Sequence, residues 1–139
     1  MDREPFEKLV EEAMAALPKK FREYYQANNV ALVVQDYAPL STRRQFGAID
    51  RNDILGLYSG IPLTKRGASY GNVPPDMIFL YQKAIESRCR TDEEIRAQVQ
   101  ETVVHEVGHF FGLDDARIYE NVAEVRAARR RAPKKESEP

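Results

Sequence analysis

A chain of 139 residues, 42% of them apolar, suits one domain with a modest hydrophobic core and argues against two separate domains. The 21 basic and 22 acidic residues nearly cancel, so no global charge attracts the chain to nucleic acid or to anionic lipid. The single cysteine, Cys89, excludes an intramolecular disulfide and a multi-cysteine zinc site, and we interpret it as a plain thiol.

Neither the N-terminal segment nor any apolar run indicates export or membrane insertion. The first residues, MDREPFEK, are charged and lack the apolar segment of a secretory signal. The longest apolar run, residues 30–34, is far shorter than the roughly 20 residues of a membrane span. We therefore expect a cytoplasmic protein without a membrane partner.

The first half of the chain predicts a helix, a short helical or turn segment, a strand and a loop. Apolar residues recur at helical spacing from Phe6 to Leu17, and Pro18 then ends the helix. A short helical or turn segment follows, and residues 29–37 have the composition of a largely buried strand. Residues 38–53 are polar with interspersed Pro and Gly, which favours a surface loop.

Two further apolar segments predict strands. We interpret residues 54–64 as a short strand, a turn at Ser59 and Gly60, and a returning strand. Residues 66–76, rich in Gly and Pro, predict a loop, and residues 77–85 predict another strand. Parallel and antiparallel pairing of these strands both stay open.

Two helices are predicted in the last third of the chain. Thr91, with Glu94 three residues later, has the spacing of a capping box, and Gly112 suits the C-terminal end of this long helix. A last helix begins near Ala116. Its expected buried residues are Ile118, Val122 and Val125.

We predict a single domain over residues 1–128, followed by a charged and disordered tail over residues 129–139. From residue 126 onwards the chain holds six basic and two acidic residues, a composition typical of a solvated helix end and a disordered segment. Because the tail has no aromatic residue that could stack on bases, nucleic acid is not an expected partner.

The segment HEVGHFFGLDD predicts a metal site. Residues four apart lie on one helix face about 6 Å from each other, so the imidazoles of His105 and His109 can converge on one ion. Glu106 stands beside the first histidine, where it can take a proton from bound water. A left-handed Gly112 would return the chain toward the metal and allow Asp115 to be the third ligand.

This pattern is typical of hydrolysis assisted by one zinc ion. Zinc would lower the pKa of bound water, Glu106 would accept the proton, and the hydroxide would attack a peptide or related amide bond. A peptide substrate could lie as an added strand along residues 54–58 or 77–81. Three hydroxyl groups are candidates for a hydrogen bond to the oxyanion: Tyr58, Tyr81 and Tyr119.

Several alternatives stay open at this point. Asp114 or Asp115 could instead cap the last helix, and Glu124 could replace Asp115 as the third ligand. Two histidines and one carboxylate also match an iron oxygenase site, although the adjacent Glu106 fits zinc hydrolysis better. A different class is a zinc-stabilised binding or regulatory module, in which Asp114 or Glu124 would be a fourth protein ligand.

HEVGHFFGLDD resembles the active-site motif of the zincin metallopeptidases, and a Gly followed three residues later by a ligand is similar to the metzincin group. From Phe6 to about Ile118 the chain more closely resembles the minimal zincins, a family of small bacterial zincin-like metallopeptidases. The segments that carry this likeness are FEKLVEEAMAALP, NNVALVVQD, ILGLYSGIPLTKR and VPPDMIFLYQKAIE.

The resemblance implies an α/β (α+β) fold in which a small mixed sheet packs against the active-site helix and flanking helices. It implies one zinc ion on His105, His109 and Asp115, with Glu106 as catalytic acid/base and an unidentified peptide or protein as substrate. Unlike the larger metzincins, the chain has no Met after the motif. The few residues after Asp115 also predict that the C-terminal wall of the substrate cleft is nearly absent.

Overall fold

The computed structural model describes residues 1–27, 30–60, 76–113 and 115–131, apart from some side chains of the second and last helices. These residues form six helices and three strands, which confirms the predicted α+β class with a small mixed sheet. In chain order the elements are α1 (Arg3–Ala15), α2 (Lys19–Ala27), β1 (Val30–Gln35), α3 (Leu40–Gln45), β2 (Gly56–Ser59), β3 (Asp76–Tyr81), α4 (Gln82–Glu86), α5 (Asp92–Phe110) and α6 (Asp115–Arg131).

The central strand of the sheet is β3, and the strand order is β1-β3-β2. β1 runs parallel to β3, with Leu32 opposite Ile78, and β2 runs antiparallel to β3, with Tyr58 opposite the same residue. Because β3 is paired on both sides, residues 77–81 cannot accept a peptide as an added strand. Of the two predicted sites for such a peptide, the one on β2 lies at an edge of the sheet that the described strands form.

β1 also lies at an edge, although the sequence predicts a largely buried strand. Each of its six residues is only partly buried, and among the described strands β3 is its one neighbour. Its apolar composition reflects one packed face, on which Val30, Leu32 and Val34 contact the main core. The predicted strand is therefore confirmed, and its predicted deep burial is wrong.

The main core lies between the sheet, α1 and α5. α1 contributes Phe6 and Val10, and α5 contributes Val99 and Val103, all of which are at most 3% exposed. Burying a side chain of this size stabilises the fold by about 1.5–3 kcal/mol. The shared core fixes α5 against the sheet, and α5 carries the metal-site motif.

Both ends of α5 have the predicted caps. At the N-terminal end, the Glu94 N–H donates to the Thr91 hydroxyl at 3.1 Å, and the Thr91 N–H donates to the Glu94 carboxylate at 3.2 Å. At the other end, Gly112 has a φ of 71°, the left-handed conformation that the sequence predicts. The Gly112 N–H donates to the His109 carbonyl at 2.9 Å, and the next N–H donates to the Gly108 carbonyl at 3.0 Å. These two bonds form a Schellman motif, which fixes the last turn of the helix.

The segment between β1 and β2 is more ordered than a plain loop. Residues 38–53 contain α3, and Arg43 of this helix ties the segment together. Its Nε donates to the Ala38 carbonyl and its Nη1 donates to the Ile49 carbonyl, each at 3.2 Å.

The strand predicted over residues 77–85 is only partly correct. β3 ends at Tyr81, and α4 follows at once. Gln82, the first residue of α4, is 3% exposed and accepts a hydrogen bond from Arg3 Nε at 2.7 Å. This long-range contact, which periodicity cannot reveal, stabilises the turn out of the sheet.

α6 begins one residue before its predicted start and runs to Arg131, past the predicted domain boundary at residue 128. Val122 is buried as predicted.

None of the described helices has both the length and the hydropathy needed to cross a bilayer.

Some predictions fall outside the described residues. These are the loop at 66–75, the returning strand after Gly60, the tail beyond residue 131, and burial of the Ile118 and Val125 side chains.

Candidate metal centre

The structure brings the two histidines of the motif together on the cleft face of α5. The Nε2 atoms of His105 and His109 lie 3.0 Å apart, and the two ring centroids lie 4.7 Å apart. Two nitrogen ligands of a tetrahedral zinc ion, each about 2.0–2.1 Å from the metal, lie about 3.3 Å apart. The histidine geometry therefore fits a shared ion after a small movement of either ring.

Glu106 completes a cluster of ligand-type atoms. One carboxylate oxygen of Glu106 and one ring nitrogen from each histidine all lie within 4.8 Å of one another. The side chain is 5% exposed, and Oε2 has no hydrogen-bond partner among the described residues. A buried carboxylate oxygen without a donor is costly, and a neighbouring cation or a bound water would satisfy it.

Burial raises the pKa of Glu106 to about 7, and a hydrogen bond from the Tyr58 backbone N–H opposes part of that increase. A carboxyl group with a pKa near neutrality exchanges protons readily at physiological pH. This property suits Glu106 to the transfer of protons rather than to permanent charge.

β2 passes so close to α5 that a side chain at position 56 would collide with it. A Cβ added to Gly56 would lie 2.9 Å from Thr102 Cγ2, 3.0 Å from the Phe79 carbonyl oxygen and 3.1 Å from Glu106 Cγ. Glycine thus permits the strand to approach the helix and to place the N–H of Tyr58 at the carboxyl group. Sequence reasoning missed this contact, and Gly within a strand pattern was the signal for it.

The proposed third ligand, Asp115, is the first residue of α6 and follows the left-handed Gly112 by three positions. Its side chain lies outside the part of the chain that the structure describes. The alternative ligand, Glu124, is exposed on α6 and does not belong to the cluster found among the described residues. Asp114 also lies outside the described residues.

A cleft of about 850 Å³ opens beside the histidines and Glu106. α5 and the segment from Ile54 to Tyr58 line it. α6 also lines it, through Val122, Ala123 and Arg126. The prediction of a nearly absent C-terminal wall is therefore wrong, because the short segment after the motif folds back along α5 as a helix.

The charged pair of Glu101 and Arg126 also lines the cleft. Arg126 Nε donates to Glu101 Oε1 at 2.5 Å, so the pair joins α6 to α5. Sequence reasoning assigned Arg126 to the basic tail and missed its place in the cleft. Its spacing of four residues from the buried Val122 was the available signal, because such residues share a helix face.

The three tyrosines considered for the oxyanion differ in their surroundings. The Tyr58 hydroxyl donates to Asp76 Oδ1 at 2.9 Å, although the residue lines the cleft. Tyr81 is 1% exposed and stacks on Phe79, with ring centroids 6.3 Å apart. The Tyr119 side chain lies outside the described residues. The Tyr58 hydroxyl is thus already bonded to Asp76, and Tyr81 does not belong to the cleft lining.

The donor set of the centre fits zinc. Imidazole nitrogens are ligands that zinc accepts, and both histidines supply one. The Glu106 oxygen that has no hydrogen-bond partner among the described residues belongs to a carboxylate beside them. The left-handed turn at Gly112 directs the chain from the second histidine into α6, whose first residue is Asp115.

Comparison with known proteins agrees with this geometry. A family model of zincin-like metallopeptidases matches residues 27–124, more than two-thirds of the chain. The match includes the whole sheet, α5 and the first part of α6. A search of the curated proteins finds no significant match. On the strength of the family match and of a histidine pair that fits zinc, the chain belongs to the zincin-like metallopeptidase family.

Proposed function

We propose that the protein is a zinc-dependent peptidase that hydrolyses peptide or related amide bonds. In this proposal His105, His109 and Asp115 hold one zinc ion, and Glu106 is the catalytic acid/base. The observation that carries the proposal is the buried Glu106 carboxyl group, which has an unpartnered oxygen beside two converging histidine nitrogens.

A zinc ion bound there would supply Lewis-acid chemistry that acidifies water and polarises a carbonyl oxygen. Glu106 takes a proton from the attacking water and delivers it to the leaving nitrogen. The Tyr58 N–H holds the carboxyl group in place during both transfers. Burial keeps bulk water away from this carboxyl group, which maintains a pKa suited to both roles.

The cleft suits an extended peptide. Among the strands that the structure describes, β2 lies at an edge of the sheet and also lines the cleft, so a substrate backbone can bind along it as an added strand. Apolar side chains of the lining, among them Leu57 and Val122, offer contacts for apolar substrate residues.

The alternative proposal is a zinc-stabilised binding module without turnover. A structural zinc site is closed by four protein ligands and needs no proton-transfer group beside them. Glu106 argues against this module, because a buried carboxyl group with a pKa of about 7 destabilises the fold without helping to close a site.

The test is hydrolysis of a fluorogenic peptide library by zinc-loaded protein, compared with the Glu106→Gln variant. Metal content is measured by mass spectrometry on protein purified without added metal, which also separates zinc from iron. We expect turnover by the wild type, and a loss of about 10²- to 10⁴-fold in the variant with zinc retained. Zinc retention without any turnover in the wild type would favour the binding module.

A further inference from the structure

The ion pair of Arg126 and Glu101 in the cleft lining is suited to the recognition of a charged group on the substrate. We infer that Arg126, held in place by Glu101, binds a substrate carboxylate next to the bond that is cleaved. The inference rests on the proposed peptidase function and adds the class of substrate.

The pair leaves most of the guanidinium available. Among the described residues, Arg126 forms one hydrogen bond, which its Nε donates to Glu101 Oε1 at 2.5 Å. An arginine has five N–H donors, and the terminal nitrogens form a planar fork that matches a carboxylate. The Arg126 side chain is 48% exposed and lines the cleft, so this fork is within reach of a substrate.

Glu101 positions the arginine rather than competing for the substrate. The Glu101 side chain is 21% exposed, less than half the exposure of Arg126, and one of its oxygens is already bonded. A guanidinium fixed through Nε loses less conformational entropy when it binds a ligand than a free one does.

The distance between the ion pair and the histidines follows from their places along α5. Glu101 precedes His105 by four residues on α5, which is about one turn or 6 Å along the helix. An extended peptide advances about 3.3–3.6 Å per residue. A carboxylate bound to Arg126 therefore lies about one or two residues from the scissile bond.

Two parts of a peptide substrate can supply the carboxylate that Arg126 binds. It can be the C-terminal carboxylate of a peptide, which would make the protein an exopeptidase, or an Asp or Glu side chain near the cleavage point. Asp53 and Glu101 also line the cleft, so the opposite preference, for a basic side chain, is the competing outcome.

The experiment uses matched apolar peptides with the zinc-loaded protein. One pair differs only in a C-terminal carboxylate or amide. A second set, all amidated, carries Glu, Gln or Lys at each position in turn. We expect wild type to prefer a carboxylate in one of these comparisons by roughly 10- to 100-fold in kcat/KM, mainly through KM. The comparison that shows the preference identifies the source.

Three variants test which residues cause the preference for a carboxylate. Arg126→Gln should abolish it, and Glu101→Gln should weaken it. Arg130→Gln, which removes the same charge from an exposed position of α6 outside the cleft lining, should leave it unchanged. A wild type that does not distinguish carboxylate from amide, or a preference that survives in Arg126→Gln, overturns the inference. So does a preference for Lys that Glu101→Gln removes.

A binding measurement separates this inference from the proposed function. If wild type cleaves no peptide, the peptidase proposal fails, and calorimetry with zinc-loaded Glu106→Gln protein still tests Arg126. The carboxylate peptide should bind about tenfold more tightly than its amide, and adding Arg126→Gln should remove the difference. Equal binding, or a difference that persists in the double variant because the carboxylate contacts zinc directly, overturns the inference.

Discussion

The backbone N–H of Tyr58 donates a hydrogen bond to the carboxyl group of Glu106, so β2 holds a buried carboxyl group of α5 in place. The contact depends on Gly56, two residues earlier, which lets β2 lie against α5. The same strand lines the cleft. β2 therefore has two structural roles, since it positions Glu106 and forms part of the cleft lining.

Replacing Gly56 by Ala should destabilise the protein and lower turnover. The added Cβ would lie 2.9 Å from Thr102 Cγ2 and 3.1 Å from Glu106 Cγ, so β2 has to move away from α5. Overpacking of this kind costs about 1–3 kcal/mol. Urea denaturation measures the loss, and peptide hydrolysis measures the effect on Glu106.

A second substitution provides the control for this prediction. Thr102→Ser removes the nearest methyl group and keeps a hydroxyl for the hydrogen bond to the Gln98 carbonyl. In the Gly56→Ala background it should restore part of the lost free energy, because the Phe79 carbonyl oxygen still lies 3.0 Å from the added Cβ. Simple additivity of the two changes would show that the contact between β2 and α5 is not the cause.

The metal-free protein should lose stability as the pH rises from about 4.5 to about 7. In the folded state Glu106 keeps its proton up to a pH of about 7, whereas its ordinary pKa in the unfolded chain is 4.5. Between these values the folded state binds more protons, so a rise in pH favours unfolding. The stability that protonated Glu106 contributes is fully present below pH 4.5, declines between pH 4.5 and about 7, and is lost above the folded-state pKa. The difference of about 2.5 pKa units corresponds to about 3 kcal/mol.

Glu106→Gln isolates this contribution, because it removes the titrating group and keeps the shape of the side chain. The free energy of unfolding of both metal-free proteins is measured between pH 4.5 and pH 8. Relative to the variant, the wild type should lose about 3 kcal/mol over that range. Parallel pH profiles for the two proteins would contradict the raised pKa.

Tyr58→Phe should lower the free energy of unfolding by about 1–3 kcal/mol. The hydroxyl donates to Asp76, which is 3% exposed, and its loss removes a donor from a buried carboxylate. Tyr37→Phe is the matched control, because no hydrogen bond is assigned to that hydroxyl among the described residues. A fall in kcat of about 100-fold at unchanged stability would instead assign the Tyr58 hydroxyl to the oxyanion.

Sequence predicted the parts of the site that depend on local signals. The capping box at Thr91, the left-handed Gly112 and the meeting of His105 with His109 all follow from spacing along one helix. Helix geometry fixes such relationships within a few residues, so no knowledge of the rest of the fold is required.

The rest of the site depends on contacts between distant segments, for which one sequence gives little signal. Gly56 and Glu106 meet because β2 pairs antiparallel with β3 and then packs on α5. Arg126 lines the cleft because α6 folds back along α5 and continues beyond the point where composition suggested a tail. Strand pairing decides the position in the first case and packing of one helix on another decides it in the second, and local propensity decides neither.

Zinc affinity should identify the ligands one at a time. His105→Ala, His109→Ala and Asp115→Ala should each lower it by more than about 100-fold, since loss of a residue that merely supports a ligand already costs 10- to 100-fold. Glu124→Gln should leave it unchanged, because Glu124 is exposed on α6. Competition with a chromophoric chelator measures the four affinities under one condition. If Asp115→Ala retains zinc while Glu124→Gln loses it, the third ligand comes from the body of α6 and not from the turn that follows Gly112.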